Sequence, residues 1–444
     1  MRHYKKEKSS FGYIAVIGAV YSSWFYPEFF SRPLVIIPVF SVLLLAGKRE
    51  AVRYLLVLSI FMVTMFSLSS ATPDISIERD AVSTLYGKVI QDSSKKRGRS
   101  TGYRVMLEAV SDNKGNLFSA DGSIYVIAPS SDFIYGDIVR SDGYFSGEIF
   151  ISGSARLIER SPAASLRHHA SSWIKSRLRS AGEAGELGMR LILGYGEEGV
   201  FALSENARKS GLAHVLALSG MHLSIIALII SKPLRLIFGR RSGGIIDIIL
   251  FLFSFLSGWR PSLVRAFIFR MLYRNLGMDE AFMLSYVILL SLFPESVIDL
   301  GAMYSFISLG GIFILSDILD ESIRSILPVP YSFSVSAAAS AAALIFSIPL
   351  TIDVFGSYQL GAIITSFPFS ALISGYMGLS IAVVLFPFIS PVLSALYVVM
   401  EKAFEVAAVF PEFSAPLEYI LLVAASLFII LIGRFIIRFH LGGE

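Results

Sequence analysis

Stretches of apolar residues long enough to cross a bilayer recur from Phe11 to Phe439, and no other feature of this chain limits its fold so strongly. About twenty residues of helix span the hydrocarbon layer, and only helices or closed barrels satisfy the backbone there. Hydrophobic residues make up 54% of the chain and charged residues 16%. That balance fits a polytopic α-helical membrane protein. The first run, Phe11 to Tyr26, is followed by further apolar runs rather than by a small-residue cleavage site, so it reads as a retained span. Cysteine is absent, which removes disulfides, thiolate metal sites and cysteine nucleophiles together.

Basic residues set the expected orientation. Arg2, Lys5, Lys6 and Lys8 precede the first run and place the amino terminus in the cytoplasm. A second run, Pro33 to Ala46, leads to Lys48, Arg49 and Arg53, and a third covers Tyr54 to Ser70. Residues 1–76 therefore read as a membrane anchor of about three spans.

Between Ile77 and Arg160 the pattern changes to short alternating runs with turn residues such as Asp121–Gly122. Strands are expected at Val82–Gln91, Thr101–Val110, Gly122–Ala128, Asp137–Ser141 and Tyr144–Ile158. Five strands match an OB-type barrel, here an inserted extracytoplasmic all-β domain over residues 77–160. Such barrels stack the bases of single strands on aromatic rings beside cations. Tyr86, Tyr103, Tyr125 and Tyr144 are the stacking candidates, and Lys95, Lys96, Arg97, Arg99 and Arg104 the phosphate candidates. Basic and acidic residues are equal in number over this stretch, so the KKRGR cluster also reads as a solvated hairpin tip.

Residues 161–210 form a connector. Leu166 to Ser180 is basic and carries Trp173, Ile174 and Leu178 at helical spacing, as suits a helix on the membrane surface. The segment GMRLILGYGEEG is too short to span and is broken by Gly194 and Gly196, so it reads as re-entrant or amphipathic.

Residues 211–444 hold the remaining spans, beginning with Leu212 to Ser231. His214, Ser219, Gly220 and His222 stand inside an otherwise apolar run, and polar groups at that depth are functional candidates. On a helix roughly 80° separates His214 from His222, while Ser219 and His222 share a face. The run fits the wall of an aqueous path; it fits equally two histidines at headgroup level with Ser219–Gly220 as a close helix contact. Further on, Asp247 lies in a span, and Arg260, Arg265, Arg270 and Arg274 recur through RPSLVRAFIFRMLYR. An arginine facing lipid at mid-membrane costs about 2.5–3.5 kcal/mol. Arg265 therefore belongs in a polar interior, meeting a phosphate or Asp247, with Arg270 and Arg274 at the inner headgroups. Later spans at Phe282–Leu292, Leu300–Leu315, Val335–Leu350, Ala362–Leu385, Val392–Phe410 and Ile420–Phe439 bring the chain to roughly twelve crossings, with both termini cytoplasmic.

The segment LILGYGEEGVFALSENARKSGLAHVLALSGMHLS, with Gly211, Leu212, His214, Ser219, Gly220 and His222 in place, resembles the signature of the ComEC family of competence proteins. WRPSLVRA, from Trp259 to Ala266, is similar to that family's R-P-S-x-x-R-A element, and the later Phe355–Gly356 break to its P…FG…P region. The likeness runs from about Ile77 to the end of the chain. It implies an OB-like domain followed by a competence-type channel that moves single-stranded DNA across the cytoplasmic membrane during natural transformation. Channel-lining or DNA-contacting residues would then be His214, Ser219, Gly220, His222, Ser262 and Arg265. Longer members carry a metallo-β-lactamase-like domain; none is expected here, so a separate nuclease, a DNA receptor and a cytoplasmic motor or strand-binding protein are the expected partners, besides membrane lipid. No cofactor, metal or catalytic residue is expected, and no GxxxxGK[ST] segment is present. Two other functions stay open: a secondary transporter or channel for a small solute, and an intramembrane Ser/His hydrolase built on Ser219 and His222. The hydrolase lacks a G-x-S-x-G elbow and a nearby acid.

Overall fold

The computed structural model describes residues 11–25, 48–95, 100–129, 131–194, 201–212, 216, 218–359, 361–409 and 412–413. Helices α1 (Phe11–Phe25) and α2 (Lys48–Ala71) come first, and α2 runs almost directly into the β domain. The hydroxyl of Ser123 donates to the carbonyl of Ala71 at 3.1 Å, which ties the end of α2 to the barrel.

Seven strands pair in this domain: β1 (Asp74–Ile75), β2 (Val82–Lys95), β3 (Ser100–Asp112), β4 (Leu117–Asp121), β5 (Ser123–Pro129), β6 (Asp137–Ser146) and β7 (Ile149–Arg160). β2 pairs with β3, β3 with β5, β5 with β7, β7 with β6, and β6 with β2, so five strands close on themselves. Only the β5–β7 pairing in that ring is parallel. β4 and β1 extend β3 at one edge.

The strand count corrects the five expected from alternation, and so does one boundary. Asp142–Gly143 has turn-forming composition, yet the chain runs through it as a bulge in β6 and turns at Gly147, whose φ is 62°. Gly143 passes so close to the backbone of Ile151 that no side chain fits there.

The helical part contains α3 (Pro162–Leu178), α4 (Glu183–Leu193), α5 (Phe201–Lys209), α6 (Gly220–Phe238), α7 (Ser242–Leu256), α8 (Pro261–Leu272), α9 (Met278–Leu292), α10 (Leu300–Ile326), α11 (Tyr331–Phe355), α12 (Gly361–Leu385) and α13 (Ser390–Ala407). Two-residue strands β8 (Tyr358–Gln359) and β9 (Glu412–Phe413) pair with each other. Five stretches among the described residues are long and apolar enough to cross a membrane: Gly220–Leu256, Leu300–Ile326, Tyr331–Phe355, Pro368–Leu385 and Pro387–Ala407. The first of these changes direction at Gly239, whose φ is 54°. The expected spans Pro33–Ala46 and Ile420–Phe439 lie outside the described residues.

Two apolar cores organise these helices. One gathers α4, α5, α6, α7, α12 and α13; the other gathers α1, α2, α9 and α10. Helices α8 and α11 straddle them. Leu263 packs in the first core and Val264 in the second, and on α11 Leu344 and Ile352 face one while Leu350 faces the other.

On α3 the buried residues are Ala164, Arg167, Ser171 and Leu178, whereas Trp173 is 49% exposed. Leu178 thus turns inward, away from the surface face expected of it.

Candidate functional site

The expected span from Leu212 is corrected at its start. Helix α6 begins at Gly220, and Ser219 before it is extended, with φ −138° and ψ 172°. Ser219 and Gly220 therefore stand at the mouth of a helix, where a capping box between Ser219 and His222 takes up part of the first-turn amides. The Ser219 amide donates to Nδ1 of His222 at 3.2 Å, and the Ser219 hydroxyl lies 3.2 Å from the same nitrogen. An accepting Nδ1 puts the proton of the neutral ring on Nε2. That nitrogen is buried and has no partner among the described residues, and His222 is fully buried.

The segment between α7 and α8 locks this mouth in place. Gly258 and Trp259 have φ of 78° and 53°, and Trp259 is the one non-glycine residue with positive φ among the described residues. Its ring packs on Phe251 at 5.2 Å and Phe255 at 5.8 Å. Three side chains then reach three carbonyls: Ser257 donates to Ile192 at 3.1 Å, Arg260 to Gly194 at 3.2 Å, and Ser262 to Leu218 at 2.8 Å. Gly194 closes α4 in the left-handed conformation with φ 76°, so the Arg260 cation sits at the negative end of that helix. The stretches LILG, LSGMH and RPS, far apart in sequence, are thereby one hydrogen-bonded unit. Gly211 packs elsewhere, against the start of α12, since a Cβ there would lie 2.7 Å from Cβ of Gln359 and 3.1 Å from Cβ of Ala362.

Arg265 lies one turn beyond Ser262. It is 6% exposed, donates through Nη2 to Ser305 Oγ at 2.6 Å, and stands 5.8 Å from the Phe306 ring. Its Nε is buried without a partner among the described residues. The expected pairing with Asp247 is not formed. Asp247 instead binds Arg270 at 3.2 Å and Arg274 at 2.6 Å, because α7 and α8 bring those side chains together near the ends remote from the barrel. Arg270 and Arg274 are thus ion-pair partners and not merely headgroup anchors.

Tyr103 is corrected as a stacking candidate. Its ring is fully buried in the barrel, its hydroxyl is 2.8 Å from Ser141 Oγ, and burial pushes its pKa up to about 12. Arg104 points to the other side of β3, where it donates to Ser123 Oγ at 3.4 Å. Burial lowers the Arg104 pKa and the nearby Asp299 charge offsets part of that, so this cation faces the helices and not an open groove. Tyr86 carries the Arg140 guanidinium 5.7 Å from its ring, Tyr125 is half-buried beside Arg104, and Tyr144 is 60% exposed. His214, Lys96, Arg97 and Arg99 lie outside the described residues, as does the side chain of Lys95. Among the described residues no group of three His, Asp or Glu side chains is placed to hold a metal ion.

One buried pair was invisible to sequence reasoning. Arg167 on α3 donates to both oxygens of Asp92 at the end of β2, with Nη1 to Oδ1 at 2.8 Å, and its Nε donates to the Leu256 carbonyl at 3.1 Å. The Tyr135 amide also donates to Asp92, at 2.7 Å. A Cβ on Gly258 would lie 2.6 Å from Arg167 Nη2 and 2.8 Å from Asp92 Oδ2, so the turn beside Arg260 is pressed against the pair. Burial alone lifts the Asp92 carboxyl, but the Arg167 hydrogen bonds and charge, the Arg260 charge and the Tyr135 amide outweigh it and hold the pKa below the ordinary value. The LRHH context of Arg167 carries no sign of a partner 75 residues away. The Gly-Trp before RPS was the one local clue to a close approach.

Spanning helices, a closed barrel beside one end of them, and a hydrogen-bonded junction between the two define a multi-pass membrane protein with an attached β domain. A family profile described as "Competence protein" matches residues 191–441, more than half of the chain. The chain belongs to that family, which ties it to DNA uptake in transformation. No curated protein and no solved structure matches it.

Proposed function

We propose that this protein carries single-stranded DNA across the cytoplasmic membrane, with its barrel on the outer side and the strand passing between the two helical cores. The observation that carries this reading is the junction itself: the matched region begins at Leu191, and its LILG, LSGMH and RPS stretches are bound together directly beneath the barrel. A polyanion cannot cross hydrocarbon and needs a path of weak donors with few cations. Ser219, His222 and Ser262 supply such groups around the first turns of α6 and α8, and Arg265 does so where the cores meet. His222 and Arg265 are almost wholly buried in this structure, so the wall of an aqueous path expected of them is not open here. Transport therefore requires the cores to part.

The ring of pairings β2-β3-β5-β7-β6-β2 with one parallel contact supports an OB-like barrel, a fold that holds single strands. Orientation follows from charge. Lys232 and Arg235 lie in the last two turns of α6, and Arg240 and Arg241 between α6 and α7, at ends remote from the barrel, which the positive-inside rule assigns to the cytoplasm. No catalytic step is assigned to the described residues, and a separate nuclease, a DNA receptor and a motor or strand-binding protein are the partners this reading expects.

The test is uptake into liposomes containing the purified protein. End-labelled single-stranded DNA should become protected from added nuclease, with duplex DNA and small uncharged solutes excluded. Protection no greater than in protein-free liposomes, or passage of small solutes instead, would refute strand transport.

A further inference from the structure

Arg265 sits on the line between the two helical cores. The residues before it divide, Leu263 to one core and Val264 to the other, and its guanidinium touches both sides: Gly220 of α6 in the first, Ser305 and Phe306 of α10 in the second. A guanidinium stays charged at any pH a cell meets. Burying such a charge is strongly unfavourable unless a counter-charge and hydrogen bonds compensate. Here a hydroxyl and an aromatic face are the contacts, and among the described residues no carboxylate pairs with it and its Nε–H has no acceptor.

The surroundings make the imbalance larger. Nη2 would lie 2.9 Å from a Cβ on Gly220, so the cation is set against the first turn of a 19-residue helix, whose amide end is also positive. His222 in that same turn adds a second buried N–H without an acceptor among the described residues. Among the described residues both unmet groups here are donors, and an anion would satisfy them.

We propose that Arg265 and the first turn of α6, opened by Gly220, form a subsite for a phosphodiester group, filled when the two cores part. The proposal rests on the strand-transport reading and adds the chemical group held and the residues that hold it. Glycine at 220 has a steric reason: a Cβ would meet Arg265 Nη2 at 2.9 Å and Ala266 Cβ at 3.0 Å, whereas a bare backbone lets an anion approach the helix amides. A single cation with a few dipoles holds a phosphate briefly, as a moving strand requires. A nucleic-acid backbone and a phospholipid headgroup share this chemistry, and the experiment separates them.

The full chain is purified in a phosphate-free maltoside detergent, and melting and binding are followed with three probes: a phosphodiester oligonucleotide, the same sequence with an uncharged methylphosphonate backbone, and short-chain phosphatidylglycerol. The phosphodiester strand should raise the melting temperature and the methylphosphonate strand should not. R265Q should melt no lower than wild type when unliganded, because it removes an uncompensated charge. It should bind the phosphodiester strand roughly ten- to a hundredfold more weakly, the value of one or two charge-assisted hydrogen bonds, with R265K in between. G220A, which crowds the same guanidinium, should weaken binding in the same way and serves if R265Q does not fold. Equal affinity of wild type, R265Q and G220A for the strand would overturn the subsite while leaving strand transport standing. A response to phosphatidylglycerol alone, in a protein that still moves DNA into liposomes, would make the occupant a lipid and overturn the strand subsite. No strand binding by wild type together with no uptake would bring down the transport reading itself.

Discussion

Replacing Arg167 by alanine is the sharpest probe of how the barrel is held to the helices. The substitution removes two hydrogen bonds to Asp92 and one to the Leu256 carbonyl, and leaves a buried carboxylate with the Tyr135 amide and the more distant Arg260 charge. Breaking a buried pair from one side costs about 3–5 kcal/mol, because the surviving charge is uncompensated. At about 1.4 kcal/mol per tenfold, local opening of the junction should become roughly a hundred- to a few-thousandfold more frequent. Hydrogen exchange of the Tyr135 amide reads that opening directly, since its acceptor is Asp92 Oδ1. A companion double variant, D92N with R167M, should recover much of the loss, as neither partner is then a lone ion. The dependence on pH has a definite sign. The folded Asp92 pKa is depressed, so the stabilisation by Arg167 is fully present above the ordinary carboxylate value of 3.8 and fades only as pH falls through the lower folded value. An R167A protein whose Tyr135 exchange rises less than about fivefold near neutral pH, or a double variant no better than the single, would refute this account of the junction.

Two further outcomes follow from the barrel. Y144A should weaken single-strand binding by about 1–3 kcal/mol without changing the fold, because the ring is 60% exposed, whereas Y103A should unfold the barrel at a cost of about 3–5 kcal/mol; binding titration with circular dichroism separates the two. A cysteine at Glu148, in the β6–β7 turn and 79% exposed, should react in whole cells with an impermeant maleimide, and labelling only after lysis would invert the orientation.

The elements that sequence reasoning placed well are those whose signal is local. Alternation located β2 and β3, and hydropathy located α10, α11 and α12, because side-chain period and apolar length are properties of a short window. Its errors have the same root. Asp142–Gly143 has the composition of a turn, and only the neighbouring strand β7, lying against Gly143, turns it into a bulge. Tyr103 and Tyr144 are alike as residue types, and only closure of the barrel decides that one is core and the other surface.

By itself the sequence determined that this chain lives in a membrane, that a β domain interrupts it, and that His222 and Arg265 stand among apolar neighbours. Tertiary structure decided which polar groups meet. Asp247 went to Arg270 and Arg274 and not to Arg265, Asp92 found Arg167, and three separate motifs were joined through the carbonyls of Ile192, Gly194 and Leu218. The physical reason is that burial in lipid is scored residue by residue, whereas the partner of a buried charge depends on how distant helices pack.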